Sequence, residues 1–579
     1  MDTVSAQSRD HLRRTIIDGI TSSEASTRAL KSRYNELAPI SRLPSEVLAS
    51  IFTLLPVFAL NERSGLLSWI YVAHVCRRWR EIALNHPRFW SRINLTKLTS
   101  DGRAEILARV KTAPLHLVVD IGRRAIGVEA IGRQLEAHIS HTRHLIISGA
   151  FGTTLERLTS SAHTLESLTL SHKSPVRWLP PATIPGNLFN FTAPNLTNLQ
   201  LENCDISWKS PILKGLRTLQ IFDITTESRL GLEDWLDALN EMPELKTLFL
   251  RHATPLASLT NPLISKPSRT ITLPSLTRFH ICASARDCAL ALAHLVLPSL
   301  TFLHVDAESH DREGEDVLLV IPYVTRNVHV LQDTDPIRSI LIASQRAYTE
   351  ILAWGMADAD VGVTDPVTVG DISLSACLQI SAKGNKWRNG VDTAIFDALL
   401  TLFPLNSVST FTAQNCTRLS KEFWLSHAPR LPLLGQARLV PTAIRSFRDT
   451  LVEDAPPDGP RFPSLTRLIL LDVTLTALRT DHLRDMLIRR VEQGIPLEVL
   501  DLRTCVQVVS GRAIQLLAEI VVDVQEPLQV DAGIAGPIAV KEFFGFAGIR
   551  YSGEVEYDSG WIPWYCDVDV SEGEDENEK

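Results

Sequence analysis

Few side chains in this sequence are spaced for chemistry. The densest histidine group is His138, His141 and His144, whose spacing on a helix could aim imidazoles at one metal ion. Arg143 lies inside it and no acidic or cysteine ligand completes it, so the three read as surface or core imidazoles. The stretch His310–Asp316 clusters acids without the ligand order of a calcium loop and reads as a polar loop. Eight cysteines (Cys76, Cys204, Cys282, Cys288, Cys377, Cys416, Cys505 and Cys566) show no C-x-x-C spacing, and most sit inside apolar patterns, as reduced core thiols do. Glycine-rich phosphate loops, H-E-x-x-H and G-x-S-x-G are absent. No catalytic, cofactor-binding or metal-binding residue is expected, and the chain reads as a non-enzyme.

The elements around these residues must then serve binding. At 579 residues the chain exceeds one compact core, so several domains or an extended repeat array is expected. Hydrophobic residues make up 45% and charged residues 21%, a globular balance. Of the net charge of −8, most sits in residues 567–579, where seven acids face Lys579 alone. The nearly neutral body offers no general attraction for a nucleic-acid backbone. The longest apolar stretch, Ile51–Leu60, is too short for a bilayer and is interrupted by Thr53 and Pro56, and residues 1–14 hold no signal-type apolar core. A soluble protein of the cytoplasm or nucleus is expected, with no membrane or nucleic-acid partner.

Residues 1–38 carry a loose helical pattern (Ile16, Ile17, Ile20, Ala29, Leu30, Tyr34, Leu37) and read as a helical leader arm without sustained heptads. Next comes Leu43-Pro44-Ser45-Glu46-Val47-Leu48-Ala49-Ser50-Ile51-Phe52. Pro44 suits the first helical position, Glu46 suits the positive end of the helix dipole, and Val47, Leu48, Ile51, Phe52 and Leu55 share a face. After a polar turn, Val72, Val75, Cys76, Trp79 and Ala83 fall on one face of a second helix, flanked by Arg77, Arg78 and Arg80. His86-Pro87-Arg88-Phe89-Trp90 then ends it, the proline as a stop and the aromatics as anchors.

Three blocks in this order, Leu43-Pro44-x-Glu46-Val47-Leu48-x-x-Ile51-Phe52, Val75-Cys76-Arg77-Arg78-Trp79-Arg80-x-Ile82-Ala83 and Pro87-Arg88-x-Trp90, resemble the F-box motif, in the form common in mushroom-forming fungi. The connection from Pro56 to Ser68 is longer than that motif's. The resemblance implies an F-box over residues 40–95. It also implies that Leu43, Pro44, Val47, Leu48, Ile51, Phe52, Val75, Cys76 and Trp79 form or support a surface for the Skp-type adaptor, and through it the cullin, of an SCF-type ubiquitin ligase.

Beyond residue 95 a signature returns: Leu165-x-x-Leu168-x-Leu170, with further copies starting at Leu196, Leu216, Leu245, Leu276, Leu300, Leu465 and Leu497. This is a leucine-rich-repeat cadence, with the final pair on a short strand and the first leucine plugging the turn. Several copies follow a proline (Pro194, Pro243, Pro274, Pro298, Pro463) that stops a helix and sets strand entry. Cys204, Cys416 and Cys505 follow strand-like segments and could fill the turn position. The expected fold is α/β: a helical F-box, then an irregular leucine-rich-repeat solenoid, a horseshoe or arc, over residues 110–550 that binds an unidentified protein substrate. In residues 306–460, segments such as Ser373–Leu378 and Val408-x-x-Phe411-x-Ala413-x-x-Cys416 could continue the cadence; a continuous arc is expected there, with an inserted subdomain or a hidden enzyme as alternatives. Aromatics over 543–566 suggest a cap on the array, and the segment 551–579 ends in the acidic tail.

Overall fold

The computed structural model describes residues 2–525 apart from 60–67, 123–127, 173–180, 226–228, 258–266, 268, 312, 335, 346–347, 356–377, 385–390, 415–418, 454–458, 472, 476 and 508–510. The aromatic segment 543–566, the acidic tail, Cys377, Cys416 and Cys566 lie outside the described residues. The chain divides into two compact units, Met1–Leu219 and Gln220–Lys579.

The first unit opens with a helix over Asp2–Glu36. Leu12, Ile16, Ile20, Leu30 and Tyr34 are all exposed on it. Local i,i+4 contacts such as Arg28 with Glu24 support it. Short helices follow to Trp90, and then parallel strands at Arg92–Asn94, Leu115–Ile121, Thr142–Gly149, Ser167–Ser171 and Asn198–Glu202 pair successively. The pairing aligns Ile93, Leu117, Leu145, Leu168 and Leu199 in one row. A second row holds Val119, Ile147, Leu170 and Leu201. All are buried. Two-residue alternation puts both rows on one face, so the sheet is sealed by helices such as Ser100–Val110 and Val128–His138 that return the chain for the next parallel strand.

The leucine signature has a plain structural meaning. In all eight copies the first, second and third apolar positions are buried, and the second lies on a strand. In several copies the first leucine closes a tight turn, donating its N–H to the carbonyl of the residue three before it, as Leu196 does to Ala193 (3.1 Å), Leu245 to Met242 (3.2 Å) and Leu465 to Phe462 (3.1 Å). Pro194, Pro243 and Pro463 occupy the second position of those turns, where the fixed φ of proline is already correct.

The second unit repeats this arrangement and then departs from it. Strands Thr247–Arg251, Arg278–Ser284 and Phe302–Ser309 pair in parallel in chain order. The next neighbour of Phe302–Ser309 is Leu378–Gly384, again parallel. Between them in sequence lie Ser339–Gln345 and Tyr348–Trp354, an antiparallel pair joined by residues 346 and 347, too short a link for a parallel crossover. Tyr348–Trp354 also pairs antiparallel with Leu378–Gly384, and Ser339–Gln345 pairs in parallel with Thr410–Gln414. Parallel order then resumes through Gln436–Leu439, Arg467–Leu470, Val499–Asp501 and Asp523–Gln525. The strands of 302–414 therefore do not succeed one another in chain order, as a simple continuous arc requires. The hairpin is buried on both faces, with Ile340, Leu341, Ile342, Ile351, Leu352 and Trp354 all buried, whereas the strand Thr247–Arg251 alternates. Val408, Phe411 and Ala413 are buried around the strand Thr410–Gln414, where the cadence placed them. The region is a mixed α/β structure built on a large sheet.

Candidate functional site

The helix of the first sequence block spans Ser45–Ala59. It starts one residue after Pro44, whose carbonyl accepts the N–H of Leu48 at 3.1 Å. The second block is not one helix. Val72–Val75 ends at Cys76, which is fully extended (φ −155°, ψ 170°) and becomes the N-cap of Arg77–Asn85, its Sγ accepting the N–H of Trp79 at 3.5 Å. This break turns Val75 out of the face it was expected to share with Val72, Trp79 and Ala83.

The core of this unit is Leu48, Phe52, Val72, Ala83, Phe89 and Trp90, all buried. The Phe52 ring lies 5.1 Å from that of Trp79 and 6.2 Å from that of Phe89. Trp90 donates its Nε1–H to the Ala83 carbonyl at 2.8 Å and stacks under the Arg109 guanidinium at 4.7 Å. Arg78 ties the entry to the first helix, donating to the carbonyls of Ser41 and Leu43, the latter at 2.6 Å. Arg80 donates to Ala73 across the break at 2.9 Å.

Of the nine predicted surface residues, Leu48 and Phe52 lie in the core and support the surface from beneath. Leu43, Cys76 and Trp79 are half-buried. Pro44 is exposed, and Val47, Ile51 and Val75 retain 42%, 39% and 59% of their surface. Three further apolar side chains join this exposed set: Ile40, Leu54 (56%) and Tyr71 (72%). Val47, Ile51 and Leu54 stand at i, i+4 and i+7, one stripe of the helix beside the buried Leu48 and Phe52. The helix thus has an apolar face wider than its own chain covers. Leu54 could have been found from that spacing. Residues 40–96 also hold seven arginines against three glutamates, with Arg42, Arg77, Arg80 and Arg88 exposed.

Residues 40–96 match the family model for F-box-like domains. This segment is an F-box-like domain. None of the curated proteins compared with the chain matches it. The F-box-like domain ends on the strand Arg92–Asn94, so its last residues also open the sheet that follows.

The other clusters noted in the sequence are taken up structurally. His138 and His141 face each other at 3.3 Å, while His144 lies on a strand against His116, ring centroids 5.1 Å apart, so the three histidines are not brought together. Burial holds all three below the ordinary imidazole range. Asp311 and Asp316 accept backbone N–H groups of Glu313, Glu315 and His310 in the polar loop. Cys204 and Cys505 fill equivalent turns, their thiols donating to the carbonyls of Leu170 and Leu470 at 3.7 and 3.4 Å. Burial pushes the Cys204 thiol up to about 12, which keeps it protonated and inert. Among the described residues no helix is long and apolar enough to cross a membrane.

Proposed function

We propose that the F-box-like domain docks the Skp-type adaptor of a cullin-based ubiquitin ligase, and that the α/β region is a degenerate leucine-rich-repeat arc that holds a protein substrate. The chain is then a non-catalytic receptor. It raises the substrate's effective concentration near a ubiquitin-loaded enzyme whose chemistry lies in other subunits, and it works in the cytoplasm or nucleus.

The uncovered stripe of Val47, Ile51 and Leu54, with Tyr71 and Val75, carries this reading. Covering a large aliphatic side chain fully is worth about 1.5–3 kcal/mol, so a few half-exposed ones are enough to anchor a partner. The excess of arginine around them favours an acidic partner surface.

The test is the full chain with a purified Skp-type adaptor. Ile51→Glu combined with Val75→Glu is expected to weaken binding by about 100-fold, as burial of two unpaired charges requires, with the melting temperature retained. Wild-type affinity in the double variant would overturn the docking face. Cullin recovered with the wild-type chain and lost with the double variant supports a ligase, whereas adaptor recovered without cullin would make the chain a non-ligase scaffold.

A further inference from the structure

We propose that His252, Cys282 and Glu308 form a binding site for one zinc-class divalent ion, open on one side to the adjoining cleft. The three residues are 30 and 26 positions apart in sequence, and parallel strand pairing assembles them. His252 directly follows the strand Thr247–Arg251 and donates its backbone N–H to the Cys282 carbonyl at 2.8 Å. Cys282 lies opposite Asp306 on the next strand, and Glu308 follows two residues later on the same face. One ligand atom from each of the three lies within 4.8 Å of the others.

His252 Nε2 and Glu308 Oε1 stand 3.6 Å apart. That is beyond a good hydrogen bond, yet it matches the separation of two ligands on one tetrahedral ion, about 3.3–3.8 Å for legs of about 2.0–2.3 Å. A second observation concerns the carboxylate beside Cys282. Asp306 Oδ2 takes Lys383 Nζ at 3.0 Å and the Cys282 thiol at 3.5 Å, while the buried Asp306 Oδ1 has no hydrogen-bond partner among the described residues. Asp306 thus places a buried carboxylate oxygen without a donor beside the Cys282 thiol.

The donor set selects the ion. A thiol sulfur beside an imidazole nitrogen and a carboxylate favours zinc or cobalt over magnesium or calcium, which prefer all-oxygen shells. Cysteine binds a metal as its thiolate. Binding forms the sulfur–metal bond as the S–H bond breaks, and releases one proton to solvent. His252 and Glu308 line a cleft of about 740 Å³ together with Arg229, Ser284 and Arg286, and Cys282 is buried behind them. Three protein ligands arranged in this way leave the fourth position on the cleft side.

The experiment is titration of the chelator-stripped full chain with cobalt(II), read by the thiolate-to-cobalt charge-transfer band, followed by displacement with zinc. One equivalent is expected to saturate the band. Cys282→Ser should abolish it. His252→Asn and Glu308→Gln should each weaken binding about tenfold or more. Asparagine suits position 252 because His252 has the left-handed φ (49°) that Asn203 adopts at another strand end, so this variant keeps the fold even if Cys282→Ser does not. Absence of the band in the wild type, its survival in Cys282→Ser, or unchanged affinity in His252→Asn would overturn the site.

Discussion

Ile51 and Phe52 are neighbours on one helix with different work to do. Phe52 is enclosed by Trp79 and Phe89, so Phe52→Ala removes a packed ring and is expected to cost about 3–5 kcal/mol of stability by denaturant titration. Ile51→Ala should change stability by about 0.5 kcal/mol or less while lowering adaptor affinity. The sequence placed both on an apolar face but could not say which half of that face the chain itself covers. The answer depends on Val72, Ala83 and Phe89, which arrive later in the chain. His116 makes a second prediction at this scale. Burial, with Arg92 and His144 nearby, depresses it to about 3 from its ordinary 6.5. The unfolded chain therefore binds the extra proton first. Stability is complete above pH 6.5 and falls as the pH drops from there toward 3. His116→Gln is expected to flatten the loss of urea midpoint between pH 7 and pH 5; an unchanged slope would place the acid sensitivity elsewhere.

At the scale of elements, leucines and prolines were legible because strands and turns impose short, fixed spacings on them. The arginines that join successive elements were not. Arg326 donates to the carbonyls of Leu292 and Leu295, where the helix Ala285–His294 ends. Arg430 does the same for Leu400 and Phe403, and Arg461 for Thr450 and Glu453. Each reaches from a later segment to carbonyls that a helix end leaves without partners. Arg490, fully buried, does so for Phe462 and Leu465 at the strand entry, and remains charged at neutral pH although burial lowers it to about 10. Their spacing follows irregular helix lengths, so no periodicity marks them. Arg430→Met and Arg490→Met should each cost about 1–3 kcal/mol by taking the donor from one carbonyl, that of Phe403 and that of Leu465 respectively, measured as a shift in urea midpoint without change in slope. The break at Cys76 was equally hidden, since its residues carry a helical pattern straight across it.

For the whole molecule, the α/β class and the F-box-like segment could be read from the sequence, but the join between them could not. The strand Arg92–Asn94 lies within residues matched to the F-box-like family and yet pairs with Leu115–Ile121. Starting the chain at residue 96 would remove the buried Ile93 and bare a parallel sheet edge, and such a truncation is expected to aggregate on size-exclusion chromatography. Starting it at residue 34 removes residues whose described side chains, over 10–33, are all exposed, and should leave the melting temperature within about 1 °C.

The inserted hairpin of the second unit also bears on how the chain emerges during synthesis. Phe302–Ser309 leaves the ribosome well before its parallel neighbour Leu378–Gly384, with 68 residues between them. At about 5–20 residues per second that delay is roughly 3–14 s. During it the first strand to follow is Ser339–Gln345, an apolar segment able to pair with the waiting edge in the wrong place. A sheet that grows strand by strand finds each partner as soon as it is made; this one must hold an open edge until a later strand arrives. While residues 310–377 are being made, the edge of Phe302–Ser309 stays open to mispairing, the kind of exposure that chaperones shield.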